Sequence, residues 1–189
     1  FSGPDGYILD EAGISGEKVD YMLDLRNSGK NICKPYADKF AGSKFFPGEK
    51  PWSVKADIYI PCAMQNDVHL EHAKMIVASG CKFYCEGANM PTTNEALEYL
   101  MANGVIVGPA KAANAGGVAC SAIEMSQNSR KMPMKREEVY EQLETIMKNI
   151  HDNAEAASRE YGYGYNLVAG ANIAGFLKVA EAMTAQGYV

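Results

Sequence analysis

The sequence predicts an α/β fold, a truncated doubly wound (Rossmann-like) parallel sheet followed by two C-terminal helices. Three short apolar runs, Ala56-Asp57-Ile58-Tyr59-Ile60, Lys82-Phe83-Tyr84-Cys85 and Gly104-Val105-Ile106-Val107, recur at similar spacing and suit buried strands. Between them, residues 67–79 and 92–103 place apolar side chains at helical period. Strand, helix and strand at this spacing imply right-handed crossovers, and therefore parallel strands. After residue 134 no strand pattern returns, and two long helical stretches close the chain.

Taken in order, Phe1-Ser2 reads as the stump of an earlier strand, and Gly3-Pro4-Asp5-Gly6 is a turn by composition. Ser15 is placed to cap a helix through Asn27 that Gly29 ends. Tyr36 to Phe40 adds a short turn of helix before a strand at Phe45-Phe46. In the first crossover, Val68, Ala73, Ile76 and Val77 share one helix side; in the second, Ala96, Leu97, Leu100 and Met101 do. Thr92 with Glu95 three residues on forms a capping-box signature, and Gly80 and Gly104 stand where helices stop. Asn114-Ala115-Gly116-Gly117 lies just before or within the start of a helix running through Glu124 and Met125. Lys135 to Glu160 is one amphipathic helix whose stripe is Val139, Leu143, Ile146, Met147 and Ile150. Tyr161-Gly162-Tyr163-Gly164-Tyr165 interrupts it, and a helix rich in Ala and Gly resumes from Leu167 to Met183.

The 189 residues suffice for one good core or one domain with an appendage, and 47% hydrophobic with 22% charged residues is ordinary for a globular chain. A formal charge of -5 without a Lys/Arg stretch gives nucleic acid no electrostatic handle. No apolar run approaches the roughly 20 residues that cross a bilayer, so no membrane partner is expected. Five cysteines without a CxxC pair argue against a disulfide framework and a zinc site, and fit a reducing cytoplasmic setting. His69 and His72 are three apart on one helix, but no third ligand stands at a diagnostic spacing, so a satisfied or solvated pair is expected and no metal. His151 is read likewise, and Trp52 as packing a loop onto the core. Starting on Phe1, the chain is expected to be a piece of a longer polypeptide.

Small and polar clusters follow the three runs: Pro61-Cys62-Ala63-Met64-Gln65-Asn66, Glu86-Gly87-Ala88-Asn89, and the stretch Pro109 to Gly117. In an open parallel sheet all three fall at one edge, where ligands bind outside the carboxyl ends of the strands. Paired glycines admit close backbone approach, helix-start N–H groups favour an anion, and Ser121 one turn on could add a hydroxyl donor. A serine inside a helix also commonly bonds back to its own backbone. Lys111 is read as a solvated loop lysine.

The stretches Glu86 to Thr93, Lys111 to Val118 and Asn166 to Ile173 resemble, nearly letter for letter, signatures of glutamate dehydrogenases. Pro61 to Asn66 resembles a fourth, in which Thr is commoner at the position of Met64. The resemblance runs over essentially the whole chain. It implies reversible NAD(P)-dependent oxidative deamination of L-glutamate to 2-oxoglutarate and ammonium, and homo-oligomers that are hexamers in full-length relatives. It places Ala63, Met64, Gln65 and Asn89 beside the nicotinamide and its ribose, Asn114 at another coenzyme-side position, and Val118 and Ser121 on the substrate side-chain pocket. It also implies that the catalytic lysine and aspartate, and a G-x-G-x-x-A/G turn, lie outside these residues, so that no catalytic residue is expected here and the isolated chain is expected inactive. Residues 1–130 are then a coenzyme-binding domain lacking its first strand and glycine-rich loop, and residues 131–189 a helical segment whose last helix braces the absent substrate domain.

Ser2-Gly3-Pro4-Asp5 resembles the NAD-preferring clostridial type. Pro4 and Asp5 would follow the second strand of the complete coenzyme domain, where the adenosine ribose is read. The Asp5 carboxylate could accept from free ribose hydroxyls and would repel a 2′-phosphate, which predicts NAD over NADP. Leucine- or phenylalanine-type dehydrogenases share Asn-Ala-Gly-Gly-Val but lack the Ser121 hydroxyl, and a non-catalytic nucleotide-binding module is the third alternative.

Overall fold

The computed structural model describes residues 1–187. They fall into two compact units, one from Phe1 to Val54 and one that starts at Lys55.

In the first unit, β1 (Ser2–Gly3), β2 (Gly6–Leu9) and β3 (Lys44–Pro47) form an antiparallel sheet in the order β1-β2-β3, beside α1 (Glu17–Asn27) and α2 (Lys34–Lys39). The central strand was not legible as one, because Gly6-Tyr7-Ile8-Leu9 is buried at three successive residues and lacks alternation. Ile8, Cys33 and Tyr36 form the core of this unit. The Asp10 carboxylate, 3% exposed, accepts from Lys18 Nζ and from the Tyr36 hydroxyl, each at 2.6 Å. The expected Ser15 cap is corrected: Gly16 holds the N-cap position of α1 without a side-chain cap bond. Glu17 and Asp20 place negative charge in that first turn, which favours the exposed N–H groups by another route.

In the second unit, β4 (Ile58–Tyr59), β5 (Phe83–Cys85) and β6 (Ile106–Gly108) are parallel in the order β4-β5-β6, with α3 (Leu70–Ala78) and α4 (Asn94–Ala102) as the crossovers. The register aligns Tyr59 with Tyr84 and Tyr84 with Val107, all buried, and Ile58 with Phe83 and Phe83 with Ile106, all exposed. Alternation therefore assigns one apolar row to each sheet face, and only one row is covered. Val68, Ala73, Ile76, Ala96 and Leu100 are buried, as the periodicity of the two crossovers requires.

Both crossover helices start later than their patterns suggest. At α3, His72 Nδ1 accepts the His69 backbone N–H at 3.1 Å, so the histidine pair is a reciprocal cap. At α4, the Thr92–Glu95 capping box is overturned: Thr93 takes the N-cap position, and Thr92 Oγ1 instead pairs with the buried Tyr84 hydroxyl at 2.8 Å. Water can serve an open helix end, whereas a buried phenol without a partner carries its whole desolvation cost.

The third junction is helical almost from its first residue, with α5 (Ala110–Ala113) running into α6 (Ala115–Arg130) through Asn114. The long helix α7 (Arg136–Glu160) and the last helix α8 (Leu167–Gln186) then pack together. Their closest approach is at Gly170, where a Cβ would lie 1.8 Å from the Ala154 carbonyl oxygen. By length and composition α8 could cross a membrane, which the run-length reading did not anticipate. Only 6% of that apolar window is buried, and the buried position is Gly170, set against Ala154 of α7.

Candidate functional site

Beyond the carboxyl ends of β4, β5 and β6 opens a cleft of about 800 Å³. Its lining combines Gln65 and Asn66 from the first junction, Glu86 and Asn89 from the second, Lys111 from α5, and Val168 and Asn172 from α8. Two residues in this lining hold left-handed backbone without being glycine, Asn66 at φ 53° and Met90 at φ 46°, and the Asn66 N–H donates to the Met90 carbonyl at 2.9 Å. Such strain costs about 1–2 kcal/mol per residue and tends to gather at sites where function requires a fixed backbone.

A short chain of polar bonds joins the second and third junctions. Asn114 Nδ2 donates to Asn89 Oδ1 at 2.6 Å and to the Ala88 carbonyl at 3.3 Å. Among the described residues no further hydrogen bond engages the Asn89 amide N–H groups or the Asn114 amide oxygen, so the pair keeps one donor group and one acceptor. Such a pair can serve a ligand that carries both a donor and an acceptor. Glu86, 4% exposed, accepts the Ala110 N–H on Oε2 at 2.9 Å, and its own N–H donates to the Gly108 carbonyl at 2.9 Å. In the sequence Glu86 stands in a loop cluster and at the head of a family-like stretch but carries no role of its own; the available signal is an acidic residue directly after the apolar run of a buried strand.

The remaining expected site residues are distributed as follows. Ala63 and Met64 are exposed in the first junction but do not line the cleft, whereas Gln65 does. Val118 (71% exposed) and Ser121 lie on the first turns of α6, also outside the lining. The Ser121 hydroxyl donates to the Gly117 carbonyl at 3.2 Å, the back-bond a helical serine commonly makes. Lys111 is exposed as expected, but it sits on α5 rather than in a loop and donates to Asn172 Oδ1 on α8. Pro4 and Asp5 belong to the first unit. There, Asp5 accepts the N–H groups of Cys33 at 2.7 Å and Lys34 at 2.9 Å. Burial works to raise the Asp5 pKa, but those two backbone donors together hold the carboxyl below its usual value. Among the described residues no group of three or more His, Cys, Asp or Glu could hold a metal.

The model of the Glutamate/Leucine/Phenylalanine/Valine dehydrogenase family matches residues 1–187. A curated relative, the NAD-specific glutamate dehydrogenase of Clostridium symbiosum, is 60% identical over 188 residues, covering 98% of this chain and 42% of that protein. The NADP-specific glutamate dehydrogenase of Haemophilus influenzae is 46% identical over 98% of this chain and 41% of its own length. A solved structure titled glutamate dehydrogenase superposes with a TM-score of 0.94 at 59% identity, covering all of this chain and 42% of that one. The chain thus spans less than half the length of the relatives it matches.

Proposed function

This chain belongs to the Glutamate/Leucine/Phenylalanine/Valine dehydrogenase family, and from that premise we propose that it is the coenzyme-binding part of an NAD-dependent glutamate dehydrogenase. The complete polypeptide would interconvert L-glutamate with 2-oxoglutarate and ammonium, the nicotinamide ring taking up or giving back the hydride. The observation carrying this reading is Asn89, which lines the strand-end cleft and accepts from Asn114 outside the lining, a pair of amides that offers both a donor and an acceptor to a carboxamide.

Within that reading Asn89, Asn114 and the Ala63-Met64-Gln65 segment attend the nicotinamide and its ribose. Pro4 and Asp5 attend the adenosine ribose, where Asp5 disfavours a 2′-phosphate. The N–H groups of Cys33 and Lys34 hold that carboxylate in one orientation. Val118 and Ser121 line the pocket for the substrate side chain, which requires the Ser121 hydroxyl to exchange its bond to Gly117 for one to the distal carboxylate.

Residues 1–130 are the coenzyme domain without its first strand and phosphate-binding turn, and residues 131–189 a helical segment whose last helix braces the substrate domain. The uncovered Ile58–Phe83–Ile106 row supports an unfinished doubly wound sheet, since such sheets carry helices on both faces. Exposed Phe176, Val179 and Met183 support a further partner for α8. The complete enzyme is a cytoplasmic homo-oligomer, hexameric in this reading, and the 189 residues alone are inactive.

The assay is NADH formation by the complete polypeptide. It should proceed with L-glutamate and be at least about a hundredfold less efficient with L-leucine or L-phenylalanine, because an apolar side chain strands polar groups of the pocket. Equal use of leucine would transfer the chain to the apolar-substrate branch of the family, to which the back-bonded Ser121 lends its one supporting observation.

A further inference from the structure

Glu86 is the one buried carboxylate on the cleft, and neither its charge nor its position is used by the roles above. Its two ties run in the same direction, side chain to the Ala110 N–H and backbone N–H to the Gly108 carbonyl, so the end of β5 is held to both sides of Pro109. Four residues after Ala110 comes Asn114, whose side chain returns to Ala88 and Asn89, two and three residues after Glu86. The second and third junctions are therefore closed into a ring, with Glu86–Ala110 at one end and Asn89–Asn114 at the other. α5 between these ends spans only Ala110–Ala113, too short to hold its own direction without anchors. Solvent cannot replace the Glu86 bond, because the residue is 4% exposed, and a bond from a carboxylate to an amide is of the stronger kind.

We propose that Glu86 is a positioning residue that orients the Asn89–Asn114 amide pair toward the coenzyme by fixing the start of α5. This rests on the coenzyme reading above and adds to it a residue that need not touch the ligand. The acceptor oxygen, rather than the negative charge, is the required feature.

The test is NADH titration of the complete polypeptide, followed by fluorescence, in native, Glu86→Gln and Glu86→Leu forms, with KM for glutamate measured in parallel. Gln keeps an acceptor for the Ala110 N–H, and Leu keeps the volume without one. The expected result is Kd within about threefold of native for Gln and about tenfold weaker for Leu, with the glutamate KM unchanged in both; one hydrogen bond, with or without charge, is worth roughly that factor. A general loss of structure would move both constants together. Native-like affinity in Glu86→Leu, or an equal loss in Glu86→Gln, would overturn the proposal. Should Glu86→Leu fail to fold, Glu86→Gln decides alone by the same threefold limit. Failure of the native protein to bind NADH would instead dismiss the coenzyme reading itself.

Discussion

At the scale of single residues, the hydrogen bond between Tyr84 and Thr92 is the most exacting in the second unit, since both side chains are buried and each is the other's partner. Burial, the largest influence, pushes the Tyr84 phenol well above its ordinary pKa, so it remains neutral. Thr92→Val should cost about 1–3 kcal/mol in denaturant unfolding by leaving the phenol unpaired, and Tyr84→Phe with Thr92→Val together should cost less than the sum of the two singles. In the first unit, the Asp10 carboxyl is held below its ordinary 3.8 by the Lys18 bond first and the Tyr36 bond second. A group depressed on folding contributes stability that is complete above its unfolded pKa and fades as pH falls toward the folded value. Acid unfolding of native protein below about pH 4 should therefore be steeper than that of Asp10→Asn, as far-UV circular dichroism would record. The amide cluster was legible at this scale because Asn89 and Asn114 stand in family signatures. Thr92 was misread because a capping box is a local pattern, whereas its real partner is chosen by burial eight residues away.

At the scale of elements, period was a good guide and boundaries were not. The three apolar runs became β4, β5 and β6, parallel as the crossover spacing demanded, yet the strands keep only two or three residues each. What periodicity could not convey is which apolar row would be covered, because Ile58, Phe83 and Ile106 are as hydrophobic as the buried Tyr59, Tyr84 and Val107 beside them. The antiparallel pairing of β2 was missed for the related reason that a short, continuously buried strand carries no alternation. The α7–α8 contact turns on Gly170, where any added Cβ meets the Ala154 backbone. Gly170→Ala should destabilise the second unit by about 3 kcal/mol, the upper range for overpacking, through lifting α8 from α7. It should also part Asn172 from Lys111, so that hydrogen exchange rises along α8 more than along β5. A Gly170→Ala protein that melts like the native one would remove Gly170 from this role.

For the whole molecule, Pro4 and Asp5 fall in the first unit and the strand-end cleft in the second. With Asp5 assigned to repel a 2′-phosphate, Asp5→Ser in the complete enzyme should raise the efficiency of NADP relative to NAD by about tenfold while leaving KM for glutamate unaltered. An unchanged coenzyme ratio would return Asp5 to its structural task at Cys33 and Lys34. The central claim is that the carboxyl ends of β4, β5 and β6 make the nicotinamide end of a coenzyme site. In a crystal structure of the complete polypeptide with NAD, the nicotinamide carboxamide should lie within hydrogen-bond distance of the Asn89 and Asn114 side chains. A coenzyme seated elsewhere, with those two amides still bonded only to each other and to Ala88, would contradict it.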